Sequence, residues 1–331
     1  MARSSLTLDE LVAGVTAYDR AVLAQAITLV ESIRPEDEVL AQELLDRLLP
    51  RAGGAWRVGV SGAPGVGKST FIEALGKRLV ERGERVAVLA VDPSSTISGG
   101  SILGDKSRMV ELSRAEGAFI RPSPTAETLG GVARRTRETI RVCEAAGCGV
   151  VLVETVGVGQ SETLVAGMVD VFLVLVLPGA GDELQGIKKG ILELADVVAV
   201  NKADGPQLAA AREAVRTYTA AFSYSRARRR GGTPRALAVS ARTGEGLEEL
   251  WRLVLDHRRS LEETGELQAR WRAELRTWMW SLVEERVLRA FRTDPAVRAT
   301  LAGAERELLA GRITAGRAAD LLLAAFAARR T

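Results

Sequence analysis

Six short apolar segments, separated by longer amphipathic ones, follow one another between residues 57 and 241. They read RVGVSG, RVAVLAVD, GVVLVETVG, DVFLVLVLP, DVVAVNKAD and RALAVSA. Several are apolar at nearly every position, which is typical of strands covered on both faces. Alternating strands and helices predict an α/β fold with a doubly wound, mainly parallel sheet. Ligands of such sheets bind beyond the carboxyl ends of the strands.

The chain on either side of this region carries helical patterns. Leu8, Leu11 and later apolar residues recur at helical spacing up to about residue 50, and helical segments return from about residue 260. We therefore expect three parts, which are an N-terminal helical segment over 1–54, a sheet domain over 55–259 and a C-terminal helical arm over 260–331. The arm is interrupted near TDPAV. It is expected to pack on the body or on a second copy of the chain.

Composition and charge narrow the classes of function. The 331 residues carry a net charge of +3, and 47% of them are hydrophobic. Acids and bases nearly balance, so the pI of about 9.1 does not indicate a nucleic-acid partner, which needs a clustered basic face. The longest apolar run, VDVFLVLVLP, is too short to span a bilayer. Because the N-terminus also lacks an apolar signal core, we expect a cytoplasmic protein with no membrane partner.

The segment GAPGVGKST matches the phosphate-loop pattern G-x-x-x-x-G-K-[ST] from Gly62 to Ser69. It follows a predicted strand and opens a predicted helix, which is the context that the motif requires. Glycines let successive N–H groups point inward, and the helix N-terminus favours bound phosphate. Lys68 is expected at the β- and γ-phosphates and the Ser69 hydroxyl at Mg²⁺. The predicted nucleotide-binding residues of this loop are Gly62, Ala63, Pro64, Gly65, Val66, Gly67, Lys68, Ser69 and Thr70.

The segment NKAD, after a later strand, indicates the base of the nucleotide. Asp204 can accept hydrogen bonds from N1–H and the 2-amino group of guanine, and adenine lacks this pair of donors. Lys202 is expected to lie along the base, and Asn201 to tie this loop to the phosphate loop. The segment SARTG follows the next strand, where backbone amides support guanine O6. Its predicted contacts are Ser240, Ala241 and Arg242. The expected substrate is therefore GTP, with GDP as the product.

Carboxylates near this edge are the candidates for metal binding and hydrolysis. Asp92 ends a predicted strand next to the phosphate loop, and Mg²⁺ takes one or two carboxylates in addition to phosphate oxygens. Asp105 lies beyond a Gly-Ser stretch and is expected to reach the site only if that loop closes on the γ-phosphate and Mg²⁺. The alternative is that Asp105 caps a helix near KSRMVEL. Ser69, Asp92 and Glu154 form the predicted metal set.

The segment VETVGVGQSE supplies the remaining candidates. Glu154 takes the acidic position of the D-x-x-G pattern and Gly157 the glycine, whose amide is expected at the γ-phosphate. Gln160 is a candidate for orienting the attacking water. Hydrolysis at such a site consists mainly of positioning and charge neutralisation. Lys188, in the loop after a later strand, is a further candidate contact to phosphate or to a partner.

Together these motifs, with RPSPTAETLGGVA and GDELQGIKKGILELAD, resemble the MeaB/ArgK family of SIMIBI-class P-loop GTPases. The resemblance covers nearly the whole chain. It implies a GTP-hydrolysing chaperone of an adenosylcobalamin-dependent acyl-CoA mutase, typically methylmalonyl-CoA mutase, that gates cofactor loading and protects the mutase. It also implies a homodimer to which the C-terminal arm contributes. By this similarity Lys68, Asp105 and Glu154 take catalytic positions, with Mg²⁺ as the metal.

Two alternative functions stay open. Members of the same family carry the label of an arginine/ornithine transport system kinase or ATPase, although NKAD argues against ATP as the substrate. A nickel-delivery metallochaperone GTPase shares the fold class. Such proteins usually display Cys/His metal sites, whereas this chain has His257 as its one histidine and two cysteines, Cys143 and Cys148.

Overall fold

A computed structural model of the chain describes residues 6–91, 109–122, 129–155, 161–179, 189–224 and 234–328. The chain forms two compact units, Met1–Trp271 and Arg272–Thr331. The first unit therefore includes the N-terminal helical segment together with the sheet. The three domain limits expected from the sequence stay a prediction. Over the described ranges, no helix is both long and apolar enough to cross a membrane.

The first unit is built on a parallel sheet that has seven strands within the described residues. The strands are β1 (Trp56–Gly62), β2 (Val86–Val91), β3 (Ala118–Arg121), β4 (Val150–Thr155), β5 (Val171–Val176), β6 (Val197–Val200) and β7 (Arg235–Ala238). Their order is β3-β2-β4-β1-β5-β6-β7, and every neighbouring pair is parallel. Strands β2, β3 and β4 lie on one side of β1, and β5, β6 and β7 lie on the other. The carboxyl end of β1 therefore faces the point where the strand order reverses. The predicted doubly wound sheet is confirmed.

Burial explains why these segments form strands. Every residue of β2, β4, β5 and β6 is buried, as expected for apolar runs covered on both faces. The six predicted strands are present. The four-residue edge strand β3 was not predicted, because AFIR is too short to show a periodic pattern and pairs with β2 alone.

The described residues form thirteen α-helices, of which those in the first unit cover both faces of the sheet. They are α1 (Leu8–Thr16), α2 (Arg20–Val30), α3 (Pro35–Leu48), α4 (Lys68–Glu81), α5 (Val110–Arg114), α6 (Leu129–Ala145), α7 (Ser161–Ala166), α8 (Lys189–Leu194), α9 (Leu208–Tyr224), α10 (Leu247–Glu263), α11 (Glu266–Thr293), α12 (Pro295–Leu309) and α13 (Ala315–Ala327). One core contains Leu23 of α2 and Leu44 of α3, and the other contains Phe71 of α4 and Leu250 of α10. The N-terminal helices thus complete one face of the sheet domain.

Local sequence sets several helix ends. Thr7 and Glu10 form a capping box at the start of α1, and the Asp19 side chain accepts the first N–H groups of α2. Asp294 caps α12, with Pro295 in its first turn, which explains the predicted break at TDPAV. The second unit is helical throughout its regular elements, and Phe291 meets Phe326 edge to face at a centroid distance of 5.3 Å.

Candidate nucleotide site

The phosphate loop connects β1 to α4 and turns through left-handed glycines. Gly67 is the N-cap of α4 with φ of 96°, a conformation that side chains with a Cβ rarely adopt. A Cβ at Gly62 would lie 2.5 Å from the carbonyl oxygen of Leu175 on β5. The two glycines of the motif are therefore required by the turn and by close packing against the sheet. The resulting loop presents the N-terminus of α4 beyond the carboxyl end of β1.

Lys68 is the first residue of α4 and its side chain lies over the phosphate loop. The Nζ atom donates hydrogen bonds to the carbonyl oxygens of Gly62, at 2.8 Å, and Ala63, at 3.4 Å. These contacts hold the ammonium group within the loop that the motif assigns to phosphate. These two hydrogen bonds are therefore consistent with the position beside phosphate that the motif predicts for Lys68.

Ser69 and Glu154 meet beside the same loop. The Ser69 hydroxyl donates to Oε1 of Glu154 at 3.3 Å. Glu154 is buried on β4, between β2 and β1, where it is in register with Val60 of β1 and Ala90 of β2. A hydroxyl and a carboxylate are both hard oxygen ligands, so this pair fits Mg²⁺ with waters and phosphate completing the shell. Within the described residues, no group of three or more His, Cys, Asp or Glu side chains is placed to hold a metal ion.

Five predicted residues lie outside the part of the chain that the structure describes. They are Asp92, Asp105, Gly157, Gln160 and Lys188. The described residues end at Val91, directly before Asp92, and at Thr155, two residues before Gly157. Both strand ends lie at the carboxyl edge of the sheet. The roles of these five residues stay predictions.

The loop after β6 is bonded to the phosphate loop. Asn201, which is buried, donates from Nδ2 to the carbonyl oxygen of Val66 at 2.9 Å. Its Oδ1 accepts the backbone N–H of Ala241 at 3.3 Å. Lys202 has a positive φ of 59°, and its Nζ donates to the Gly65 carbonyl at 2.9 Å. The structure thus brings the three predicted loops together at one edge of the sheet.

Asp204 is held by the loop after β7. The Ser240 hydroxyl and the Arg242 guanidinium each donate to one of its carboxylate oxygens. The hydrogen bond from Ser240, with a further contribution from Arg242, lowers the pKa of Asp204 below its ordinary value. Asp204 is therefore an ionised acceptor at the expected guanine position. The contact by the Arg242 side chain was not predicted, since the sequence suggested only backbone contacts from this loop.

One further support of the loop was missed by sequence reasoning. The Thr155 hydroxyl, at the end of β4, donates to Oγ of Ser61 at the end of β1, at 2.9 Å. Both side chains are fully buried. A hydroxyl residue in a largely apolar strand was the available signal, because a buried polar group needs a partner.

Comparison with known proteins decides the family. A family model described as "Methylmalonyl Co-A mutase-associated GTPase MeaB" matches residues 23–296. The chain belongs to the MeaB family. Members of this family are GTPases, so this chain binds guanine nucleotides and hydrolyses GTP. The family and the P-loop GTPase fold expected from the sequence are confirmed.

Individual relatives of this MeaB-family GTPase span nearly its whole length. A "Probable GTPase" of Mycobacterium tuberculosis is 55% identical over 317 residues, which cover 96% of this chain and 94% of the relative. The mouse protein named "Methylmalonic aciduria type A homolog, mitochondrial" is 49% identical, and the match covers 97% of this chain and 80% of the mouse protein. "GTPase ArgK" of Escherichia coli is 48% identical, with 85% of each chain covered.

A solved structure confirms the fold over the whole length. The crystal structure named "LAO/AO transport system kinase" matches with a TM-score of 0.74 and 37% sequence identity. The match covers 97% of this chain and 98% of that chain. The arrangement of sheet and helices described above is therefore shared with an experimentally determined relative.

Proposed function

We propose that this GTPase is a chaperone of an adenosylcobalamin-dependent acyl-CoA mutase, with methylmalonyl-CoA mutase as the first candidate. It gates loading of the cobalamin cofactor and protects the mutase from inactivation. The observation that carries the proposal is the match of 274 residues, 23–296, to the family described as associated with methylmalonyl-CoA mutase. The mouse relative, named for methylmalonic aciduria, supports the same assignment.

Within this function the phosphate loop binds the phosphates of GTP. The backbone N–H groups of residues 62–70 surround the phosphates, and Lys68 turns from the loop carbonyls to the β- and γ-phosphates. Asp204 accepts from the guanine base, Lys202 lies along it, and the Ser240 loop contacts its edge. The bond from Asn201 to Val66 keeps base and phosphate sites at a fixed separation.

Ser69 and Glu154 hold the Mg²⁺ site together with Asp92. A bound Mg²⁺ supplies charge neutralisation at the phosphate oxygens. Glu154 and Asp105 orient water at the γ-phosphate, and the Gly157 amide contacts the same phosphate. The proximity of the Ser69 hydroxyl and the Glu154 carboxylate supports this assignment. The roles of Asp92, Asp105 and Gly157 are supported by their positions in the motifs.

Hydrolysis and metal dependence are tested with two variants. Lys68→Ala should lower the rate of GTP hydrolysis by at least about a hundredfold, because removing one donor to developing charge costs about 10²–10³ in rate. Ser69→Ala should lose most of the increase in GDP affinity that Mg²⁺ gives to the wild-type protein, measured with and without a chelator. A Ser69→Ala protein with wild-type Mg²⁺ dependence would contradict the proposed metal set.

The partner is tested by association. Purified methylmalonyl-, isobutyryl- and ethylmalonyl-CoA mutases are each offered to the immobilised GTPase with GDP or with a non-hydrolysable GTP analogue. We expect one mutase to be retained in a nucleotide-dependent manner. Retention of none of them in either nucleotide state would refute the chaperone function while leaving the GTPase activity untouched.

The homodimer is part of the proposal and is supported by the surface of α11. Of the residues of α11, all of which are described, Leu267 alone is buried. The exposed apolar side chains of this helix are Leu275, Met279, Trp280, Val283, Val287 and Leu288. Trp280, Val283 and Val287 recur at spacings of three and four, so they share one helix face. An exposed apolar stripe of this kind is typical of a surface between protein chains.

Light scattering tests the homodimer. Trp280→Glu should shift the wild-type dimer towards monomer, whereas Leu309→Glu at the end of α12, which is also exposed, should leave the dimer intact. If the two variants formed dimers of equal stability, the dimer interface would lie away from Trp280. The cytoplasmic location expected from the sequence also stays a prediction, and the mouse relative is named mitochondrial.

A transport-system kinase is the second candidate function. It is favoured by one observation, the name of the solved relative that covers 97% of this chain. Transfer of phosphate from GTP or ATP to a protein or amino acid, measured with labelled γ-phosphate, would support it. The nickel-delivery alternative has no observation in its favour, and both Cys143 and Cys148 are free and buried.

A further inference from the structure

Helix α4, which begins with Lys68, touches the loop after β7 through Arg78. The guanidinium group of Arg78 lies against the side of Gly244 from which a side chain would project. A Cβ at Gly244 would be 2.1 Å from Nη2 and 3.0 Å from Cζ of Arg78. Gly244 also has a φ of 79°, a conformation that favours glycine. The absence of a side chain at position 244 therefore lets the guanidinium group lie directly on the turn.

Gly244 and its two neighbours hold Ser240, which is fully buried. The N–H of Gly244 donates to the Ser240 carbonyl oxygen at 2.8 Å, and the N–H of Ser240 donates to the Glu245 carbonyl oxygen at 2.9 Å. The N–H of Thr243 donates to Oγ of Ser240 at 3.1 Å. Three successive residues of the turn thus fix both the backbone and the side chain of Ser240.

Ser240 in turn holds the carboxylate of Asp204. Its hydroxyl donates to Oδ2 of Asp204. A donor on one oxygen of a carboxylate restricts the rotation of the group and so the direction of its free lone pairs. The contacts between described residues therefore run without a gap from Arg78, through Gly244 and Ser240, to the predicted acceptor of the guanine base.

No other group competes with the turn for Arg78. Within the described part of the chain, Arg78 forms no hydrogen bond or ion pair. Arg82, one helical turn further on, pairs with Glu248 in the first turn of α10, directly after the loop. A cavity of about 560 Å³, lined by Arg78 and Gly244 among others, lies between α4 and the loop. Removing the Arg78 side chain would therefore leave this face of the turn uncovered.

We propose that Arg78 is a positioning residue for the recognition of guanine. By lying on Gly244, it holds the Ser240 hydroxyl and the Asp204 carboxylate in the orientation that accepts both guanine donors. Because Arg78 belongs to the helix that follows the phosphate loop, it also fixes the base-reading groups relative to the phosphate site. This inference rests on the guanine role proposed above for Asp204.

Calorimetric binding of GDP and inosine diphosphate tests the inference. Inosine lacks the 2-amino group, so the wild-type protein should bind its diphosphate at least about tenfold more weakly than GDP. Arg78→Ala should lower this ratio of Kd values at least about threefold, because a displaced carboxylate no longer accepts both donors well. Loss of positive charge or of folded protein would weaken both nucleotides equally and leave the ratio unchanged. An unchanged ratio in Arg78→Ala would therefore overturn the inference.

The matched control is Glu81→Ala, which changes a charged residue of the same helix at the same cavity. It should keep the wild-type ratio of the two Kd values. An equal fall of the ratio in Glu81→Ala and Arg78→Ala would assign the effect to the cavity as a whole and overturn the role of Arg78.

A double-variant cycle tests the contact itself. A Cβ at position 244 meets the guanidinium group only when Arg78 is present, whereas backbone strain at Gly244 is the same in both backgrounds. Gly244→Ala should therefore raise the Kd for GDP by a larger factor in the wild-type protein than in Arg78→Ala. Equal factors in the two backgrounds would contradict the coupling between Arg78 and the turn.

Asp204→Asn separates this inference from the guanine role on which it rests. The substitution should itself change the ratio of the two Kd values, and Arg78→Ala should then add no further change. A wild-type ratio in Asp204→Asn would refute the proposed base site. A changed ratio in Asp204→Asn together with a wild-type ratio in Arg78→Ala would refute only the role of Arg78.

Discussion

Asn201 joins the guanine loop to the phosphate loop through Val66. Its Nδ2 donates to the Val66 carbonyl at 2.9 Å, and its Oδ1 accepts the N–H of Ala241 at 3.3 Å. The side chain is 1% exposed. One amide therefore satisfies buried backbone groups of two other loops, and the base and phosphate subsites are coupled through it.

Asn201→Ala is expected to weaken the binding of both GDP and GTP. The substitution leaves the Val66 carbonyl and the Ala241 N–H without this partner, and each buried unsatisfied group costs about 1–3 kcal/mol. We expect the Kd for both nucleotides, measured by calorimetry, to rise at least about tenfold. Gln207→Ala, an exposed amide near the same loop, is the control. A Kd that changes for GTP but not for GDP would argue against coupling through the loop scaffold.

Asp204→Asn is expected to change base specificity. The ionised carboxylate offers two acceptors to guanine, whereas an amide offers one acceptor and one donor. A guanine donor would then face the amide donor, and xanthine, which has a carbonyl at position 2, would fit instead. Competition binding should show that the affinity for GDP falls by about 10²-fold or more and that the affinity for xanthosine diphosphate rises. If the Asp204→Asn protein still preferred GDP, the guanine base would bind away from Asp204.

Glu144→Ala is expected to destabilise the sheet unit. Glu144 Oε1 lies 2.7 Å from the Arg57 guanidinium, and the exposed fractions of the two side chains are 0% and 7%. Its Oε2 also accepts the N–H of Gly53 at 2.8 Å. Removing one partner of a buried pair leaves an uncompensated charge, which costs about 3–5 kcal/mol in the free energy of unfolding. Urea unfolding measures this change.

Two comparisons test that explanation. The double variant Arg57→Met/Glu144→Leu should recover most of the loss, because neither charge is then buried alone. Glu213→Ala removes one partner of the exposed pair with Arg216 and should cost less than about 1 kcal/mol. A double variant that is less stable than Glu144→Ala would contradict the charge-burial explanation.

Glu31→Gln is expected to change how stability depends on pH. Burial raises the pKa of Glu31 above its ordinary value of 4.5, although the ion pair with Arg121 opposes the shift. The folded chain therefore holds this proton more tightly than the unfolded chain. As pH rises through the interval between the two pKa values, the free energy of unfolding contributed by Glu31 falls.

Urea unfolding over a pH series tests this prediction. The glutamine variant does not titrate, so its stability relative to wild type should increase as pH rises from about 4 to about 7. The exposed Glu36, changed to glutamine, serves as the control. Parallel curves for wild type and Glu31→Gln would contradict a raised pKa.

Local patterns were sufficient for most of the fold. The six predicted strands, the helix from Lys68 and the break at Asp294 all depend on short-range features, which are runs of apolar residues, glycines at a turn and a capping aspartate. Strand β3 was missed, because four residues at the edge of a sheet carry too little pattern. The hydrogen bond between Thr155 and Ser61 was missed for another reason, since its partners are 94 positions apart.

The sequence alone determined the kinds of chemistry, which are a phosphate loop, a guanine loop and a hydroxyl with carboxylates for a metal. The tertiary structure decided which of these groups meet. Ser69 reaches Glu154 across 85 positions and Asn201 reaches Val66 across 135. The physical reason is that a motif depends on neighbours in the chain, whereas these contacts exist because parallel strands bring their carboxyl ends to one edge of the sheet.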